Sequence, residues 1–292
     1  MTDTTKGIWL MVIAMFCFNL SDAFIKEMSK WVGFGQILMF MGVGGFLFTA
    51  FLCLQQGTNP FDRRLLSWPV MIRMAGEVLG AAFIFVALAT SDLSLVSSVV
   101  QASPLLIAAA AAIILKETVG WRRWSAILVG FLGVLLIINP FQAAFDWQVL
   151  YSVAAMIFLT VRDFSTRFVP QSISAIQMSA LGFIGIIPVG WAVMQFGQSY
   201  VVYDIGDWGL MGLIVLFAAF GAIAIAAGMR MGDVSAVAPF RYSRMIFAVT
   251  LGYFMFGEWP SPIMWIGIIM VFGSGLFLLL RERALHQQSP NS

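Results

Sequence analysis

Charge is what this sequence has least of. Only 10% of its 292 residues are Asp, Glu, Lys or Arg, while 61% are apolar and the mean hydropathy is +0.93. A soluble domain carries roughly 25% charged residues. So apolar a chain cannot cover itself with a water-solvated surface, and its solvent is the bilayer. Histidine is nearly missing: the single copy, His286, lies in a polar tail. Histidine-based metal chemistry or acid–base catalysis inside the membrane is thereby excluded. Cysteine is scarce too, and Cys17 and Cys53 fall within apolar runs, which is neither a disulfide framework nor a zinc site. No basic block suggests nucleic acid, and the net charge of +2 points to no partner. The sequence has no nucleotide-binding motif, so ATP-driven pumping is not expected. An enzyme would need a nucleophile–base pair or metal ligands, and with intramembrane histidine absent neither enzymatic activity nor a cofactor is expected.

Long apolar runs are abundant. A bilayer-spanning helix needs about 20 apolar residues. The runs predict ten helices, over 7–25, 34–54, 70–89, 94–115, 123–139, 147–165, 173–196, 208–228, 235–256 and 262–280. The run after Lys6 is long enough to span and lacks a clean cleavage site, so it reads as the first helix rather than a signal peptide. Pro60, Pro140, Pro170 and Pro260 punctuate the connections. The tail from Arg281 to Ser292 is polar and is expected to fray. Basic residues such as Arg63, Arg64, Arg122, Arg123, Arg281 and Arg283 gather at one set of helix ends, against Lys26 and Lys30 at the other. That asymmetry predicts both termini in the cytoplasm. Trp31, Trp68, Trp121, Trp147, Trp208 and Trp259 sit at helix ends, where an interfacial belt needs them.

One shift of 141 positions lays the second half on the first without a gap. Asp22 falls on Asp163, Lys26 on Arg167, Gln36 on Gln177, Asp92 on Asp233, Ser94 on Ser235, Glu117 on Glu258 and Trp124 on Trp265. Polar and Trp matches are rare by chance in an apolar chain, so an internal duplication is expected. The fold class is therefore an all-α integral membrane protein of ten transmembrane helices. Five helices per copy is an odd number, which makes the two repeats inverted. The first repeat is assigned to 1–139, the second to 140–281 and a polar cytoplasmic tail to 282–292.

The repeat sorts the intramembrane charges, which are costly and face a cavity or a partner. The symmetric set has scaffold or gating duties. Asp22 with Lys26, and Asp163 with Arg167, are spaced to pair on one helix face. Asp92 and Asp233 stand where N-caps are needed. The asymmetric set comprises Arg73, Glu77, Arg162, Arg241, Tyr242 and Arg244, which match Ile214, Ala218, Ser21, Val100, Gln101 and Ser103. Scaffold duties should survive in both copies, whereas a substrate has no such symmetry, so these six are the candidates for substrate binding. Arg73 and Glu77 are one turn apart and can pair. Arg241 and Arg244 share a face roughly 10–15 Å from the cytoplasmic start of their helix. Pro239 loosens the backbone just before them. The five ionisable members are expected to converge on the cytoplasmic half.

Several stretches carry a resemblance. Gly-Trp-Arg-Arg-Trp at 120–124 running into Ala-Ile-Leu-Val-Gly-Phe-Leu-Gly-Val at 126–134, Val-Arg-Asp-Phe-Ser-Thr-Arg-Phe-Val-Pro at 161–170, Ala-Pro-Phe-Arg-Tyr at 238–242 and Phe-Gly-Glu at 256–258 resemble the drug/metabolite transporter superfamily, EamA type. The resemblance implies ten helices, two inverted repeats, a central cavity and a small-molecule metabolite as partner. Inverted repeats with a site between them also characterise secondary transporters. One departure concerns Gln36, which is followed by Ile-Leu-Met-Phe-Met where relatives often carry an arginine. A cationic surplus among Arg73, Arg162, Arg241 and Arg244 against Glu77 and Asp163 suits neutral, zwitterionic or anionic substrates. Riboflavin-type vitamin uptake across the bacterial inner membrane is the leading expectation, and export of amino acids or related metabolites the alternative. A polytopic membrane enzyme or receptor subunit is the reading from another class. A monomer or a homodimer is expected.

Overall fold

The computed structural model describes residues 3–114, 120–139, 146–166, 168–170, 172–195, 200–230 and 237–288. They form α1 (Asp3–Met28), α2 (Phe34–Gln55), α3 (Trp68–Thr90), α4 (Leu93–Val100), α5 (Ser103–Ile114), α6 (Trp121–Ile138), α7 (Leu150–Thr166), α8 (Ala175–Met194), α9 (Ile205–Arg230), α10 (Ser243–Phe256) and α11 (Pro262–Gln288), with no strand among the described residues. Eight segments are long and apolar enough to cross a bilayer, and Pro262–Leu278 is a shorter apolar stretch. Counting α4 with α5 as one broken span gives ten among the described residues, in the order the apolar runs predict. In lipid every backbone group must be satisfied internally, which is why the spans are helical.

Two spans depart from the expected continuous helices. The run at 94–115 breaks at Gln101 and Ala102 between α4 and α5. Pro104 is the cause: it has no N–H to offer the Val100 carbonyl, and its ring crowds the preceding turn. The Ser103 hydroxyl donates to that carbonyl instead, at 2.7 Å. In the run at 235–256, Ala238–Tyr242 form 3₁₀ turns around Pro239 before α10 begins. The breaks fall at repeat-equivalent levels although the two prolines do not match each other. The expected fraying after Arg281 is also corrected. The backbone stays helical to Gln288, because Arg, Glu, Ala and Leu are strong helix formers.

Packing follows the duplication. The α2 helix packs on α8, α1 on α9, α3 on α7, and α6 on α11. Exchanging the halves turns the α1–α9 pair into the α7–α3 pair and leaves the other two unchanged. This is the signature of two inverted five-helix repeats. It also explains a matched glutamine pair. Gln36, at the start of α2, donates to Val201 O at 2.5 Å and accepts from Val201 N at 3.0 Å, tying down the segment before α9. Gln177, at the start of α8, donates to Asn59 O at 2.8 Å, ahead of α3. The α2–α8 crossing is close because Gly190 faces the Met39 amide, where a Cβ would lie 2.5 Å away. All six belt tryptophans are exposed, from 46% for Trp31 to 76% for Trp68.

Candidate functional site

Eight of the ten spans surround a cavity of about 230 Å³; the α6 and α11 spans stay outside it. Its apolar wall includes Met15, Phe18, Ile25, Met41, Phe85 and Phe183. Its polar wall carries Asp22, Glu77, Arg162, Asp163, Arg241 and Arg244, together with Ser21, Gln101, Ser103 and Ser179. Three carboxylates and three guanidiniums thus face one space. Charges so poorly solvated must be paired, and they are.

Glu77 stands between two arginines. Arg73, one turn earlier on α3, reaches it at 2.9 Å, and Arg162 of α7 at 3.4 Å. Arg162 also binds its neighbour Asp163 through Nε at 2.8 Å. Arg241 approaches Asp163 from the 3₁₀ segment at 3.7 Å. Arg244 binds Asp22 of α1 at 2.5 Å and lies over the Phe18 ring at 5.9 Å. The repeat-equivalent aspartates therefore each hold one of the two arginines at the start of the broken span of the second repeat, which the first repeat lacks. Arg241 is the least tightly held of the three lining arginines, at 3.7 Å and with 40% of its side chain exposed.

Of the ten residues expected to bind, couple or gate, the structure brings six to the cavity: Asp22, Glu77, Arg162, Asp163, Arg241 and Arg244. Asp22 on α1 pairs with Arg244, while Asp163 on α7 faces Arg162 and Arg241. Arg73 supports Glu77 but does not line the cavity. Tyr242 points elsewhere. It is 1% exposed, sits edge-on to Phe272 and fills the space above Gly275. Among the groups that line the cavity itself, three carboxylates stand against three arginines, with Arg73 paired to Glu77 from behind.

The expected pairing of Asp22 with Lys26 does not form. Lys26 is an ion-pair partner of Glu258 and donates to Ser91 O at 2.7 Å. Helix spacing permits a pair but cannot exclude a better partner on another helix. Asp92 occupies the N-cap position of α4 without making the side-chain cap bond. Glu258 accepts from Leu93 N at 2.8 Å in its place. Arg167, Glu117 and Asp233 lie outside the described residues.

Two residues escaped the sequence reading. Gln101 donates from the α4–α5 break to Arg241 O at 2.8 Å, which ties the two broken spans together. Asn19, fully buried, donates to Arg244 O at 3.1 Å and to Met15 O at 2.9 Å. Asn19 falls on Thr160 under the 141-residue shift, so the asymmetry that singled out the arginines would have found it.

Known proteins share this organisation. An S-adenosylmethionine uptake transporter of Rickettsia conorii is 28% identical over 187 residues; the chain spans about 60% of that protein's length, through 62% of its own. A riboflavin transporter of Rhizobium johnstonii is 24% identical, with 94% of this chain and 91% of that protein covered. The pseudopaline exporter CntI of Pseudomonas aeruginosa is 23% identical over 91% of this chain and 93% of its own. One solved crystal structure superposes with a TM-score of 0.66 over 95% of this chain and 98% of that chain at 17% identity, which shows a shared fold. The model of the EamA-like transporter family matches twice, at residues 5–139 and 146–280, and the chain belongs to that family.

Proposed function

We propose that the protein is a secondary transporter that carries a small organic metabolite across the bacterial inner membrane by alternating access, with both termini in the cytoplasm. The observation that carries this reading is the cavity between the two repeats, lined by paired charges and bounded by two broken spans. Discontinuous helices near a midplane site are how such carriers offer backbone and side-chain groups to a substrate. The roles follow the geometry. Arg241, Arg244, Glu77 and Arg162 contact the substrate, Asp22 and Asp163 hold the arginines between transport events, and Arg73 secures Glu77.

Substrate class follows from charge. Three acids against three arginines leave the lining neutral, so a cargo of no net charge enters without stranding a charge in low dielectric. Riboflavin-type vitamins meet this condition, and the rings of Phe18, Phe85 and Phe183 suit a flat heterocycle. The riboflavin transporter noted above also aligns over nearly the whole chain. A zwitterion is the second reading, favoured by the loosely held Arg241, which could exchange Asp163 for a substrate carboxylate.

The test is metabolite profiling of a deletion strain and an overproducing strain, inside and outside the cell, followed by flux of the changed metabolites into proteoliposomes. Depletion of a flavin or a zwitterion on one side, reproduced by the purified protein, is expected. Turnover of a metabolite without movement would replace the reading with an enzyme.

A further inference from the structure

Four chain segments meet at the membrane face where α1 ends. Lys26 of α1 pairs with Glu258, just beyond α10, and donates to Ser91 O at the end of α3. The second Glu258 oxygen accepts from Leu93 N, the first amide of α4, at 2.8 Å. Two side chains thus fasten three spans of the first repeat to one of the second. Gly257 makes this possible. Its φ of +69° turns the chain back at the end of α10, so that Glu258 N donates to Gly252 O at 3.0 Å and the carboxylate faces inward. The Lys26 ammonium also lies over the Phe256 ring at 5.1 Å. Burial raises the Glu258 carboxyl above the usual range, while the Lys26 bond works the other way.

The position of this cluster matters as much as its chemistry. The cavity lining on α1 stops at Ile25, the residue before Lys26. Beside the cluster runs an apolar core drawn from both repeats, including Ile25, Met28, Leu88, Leu93, Met211 and Ile214. At the opposite face, lining residues approach helix ends instead: Arg162 and Asp163 near the end of α7, Ser179 near the start of α8, and Ile225 near the end of α9.

We infer that the Lys26–Glu258–Leu93 cluster is the lock that closes the cavity toward the face where α1 ends, in a state whose cavity extends toward the other face. The inference rests on the transport reading above and adds to it the identity of one closure. The sequence supplies a matching set. Under the 141-residue shift Lys26 becomes Arg167, Glu258 becomes Glu117, and Leu93 becomes Val234, whose contribution is only a backbone amide. Those residues lie outside the described ones, so the inference concerns the Lys26–Glu258–Leu93 cluster alone.

The experiment reads closure without any substrate. In a background with Cys17→Ser and Cys53→Ser, an Ala222→Cys reporter is placed in the cavity wall. Right-side-out and inside-out vesicles are treated with a membrane-impermeant thiol reagent. With the lock intact, labelling should come from the face opposite the end of α1. Lys26→Met and Glu258→Ala should each raise labelling from the locked face by about tenfold, as expected for a shifted two-state equilibrium, whereas Lys26→Arg should leave it low. Unchanged labelling in both Lys26→Met and Glu258→Ala, in protein that reaches the membrane, overturns the lock. If either fails to accumulate, Lys26→Cys with Glu258→Cys is bridged by a cleavable bifunctional reagent. The bridge should stop exchange between faces and its cleavage should restore it; free exchange in the bridged protein also overturns the lock. Opening by the variants while no metabolite ever moves would keep the lock and remove the transport reading.

Discussion

Arg73 and Glu77 show how one carboxylate can serve two partners unequally. Glu77 has Arg162 as a second cation, whereas Arg73, with 12% of its side chain exposed, has Glu77 as its direct ion-pair contact and Asp163 only as a more distant charge. Stranding a buried charge costs about 3–5 kcal/mol, more than removing both partners. Glu77→Gln should therefore lower membrane abundance more than Arg73→Gln, and the double substitution should recover most of the loss on quantitative immunoblots. Additive losses would show that the two do not interact. Arg241→Gln and Arg244→Gln should differ as well. The first releases a weakly held group and should cut flux several-fold while abundance holds. The second leaves Asp22 buried without its partner and should reduce both. Residue identities were legible from the repeat, since asymmetry singled out arginines that do face the cavity. Partners were not, because spacing along one helix carries no knowledge of its neighbours. Lys26 turning to Glu258, and Tyr242 turning to Gly275, are the two clearest examples.

At the scale of elements, apolar length located the spans well, and proline explains where length misled. Pro104 ends α4 early, yet inside an apolar run it leaves no trace in hydropathy. Pro104→Ala should restore the missing Ala–N to Val100–O bond and straighten the span. That would pull Gln101 from Arg241 O and lower flux without loss of protein. Close helix crossings give a sharper case. A side chain at Gly190 would meet the backbone at Met39, and membrane helices depend on such small residues to approach. Gly190→Leu should separate α2 from α8 and sharply lower the melting temperature in detergent. An unaltered melting curve would mean that the crossing contributes little to stability.

For the whole molecule, duplication is the organising fact, and the sequence disclosed it through matched polar residues. What it could not disclose is which of two conformations the fold adopts, because both obey the same pattern. Inversion makes a direct prediction. Asn59 and Tyr200 occupy repeat-equivalent positions, and both are exposed. Cysteines placed there should be labelled from opposite sides of the membrane, Asn59→Cys from the cytoplasm and Tyr200→Cys from outside. Labelling from the same side would end the inverted topology.

The neutral lining of the cavity has an electrical consequence. A carrier that swings its site from one face to the other moves whatever net charge the site holds through the membrane field, at about 2.3 kcal/mol per elementary charge for each 100 mV. With three acids matched to three arginines, both the empty site and the site filled by an uncharged cargo would do almost no electrical work. Accumulation should then be indifferent to membrane voltage. Proteoliposomes clamped with valinomycin at opposite potassium gradients should fill at the same rate, whereas Asp22→Asn, which unbalances the lining, should make filling voltage-dependent.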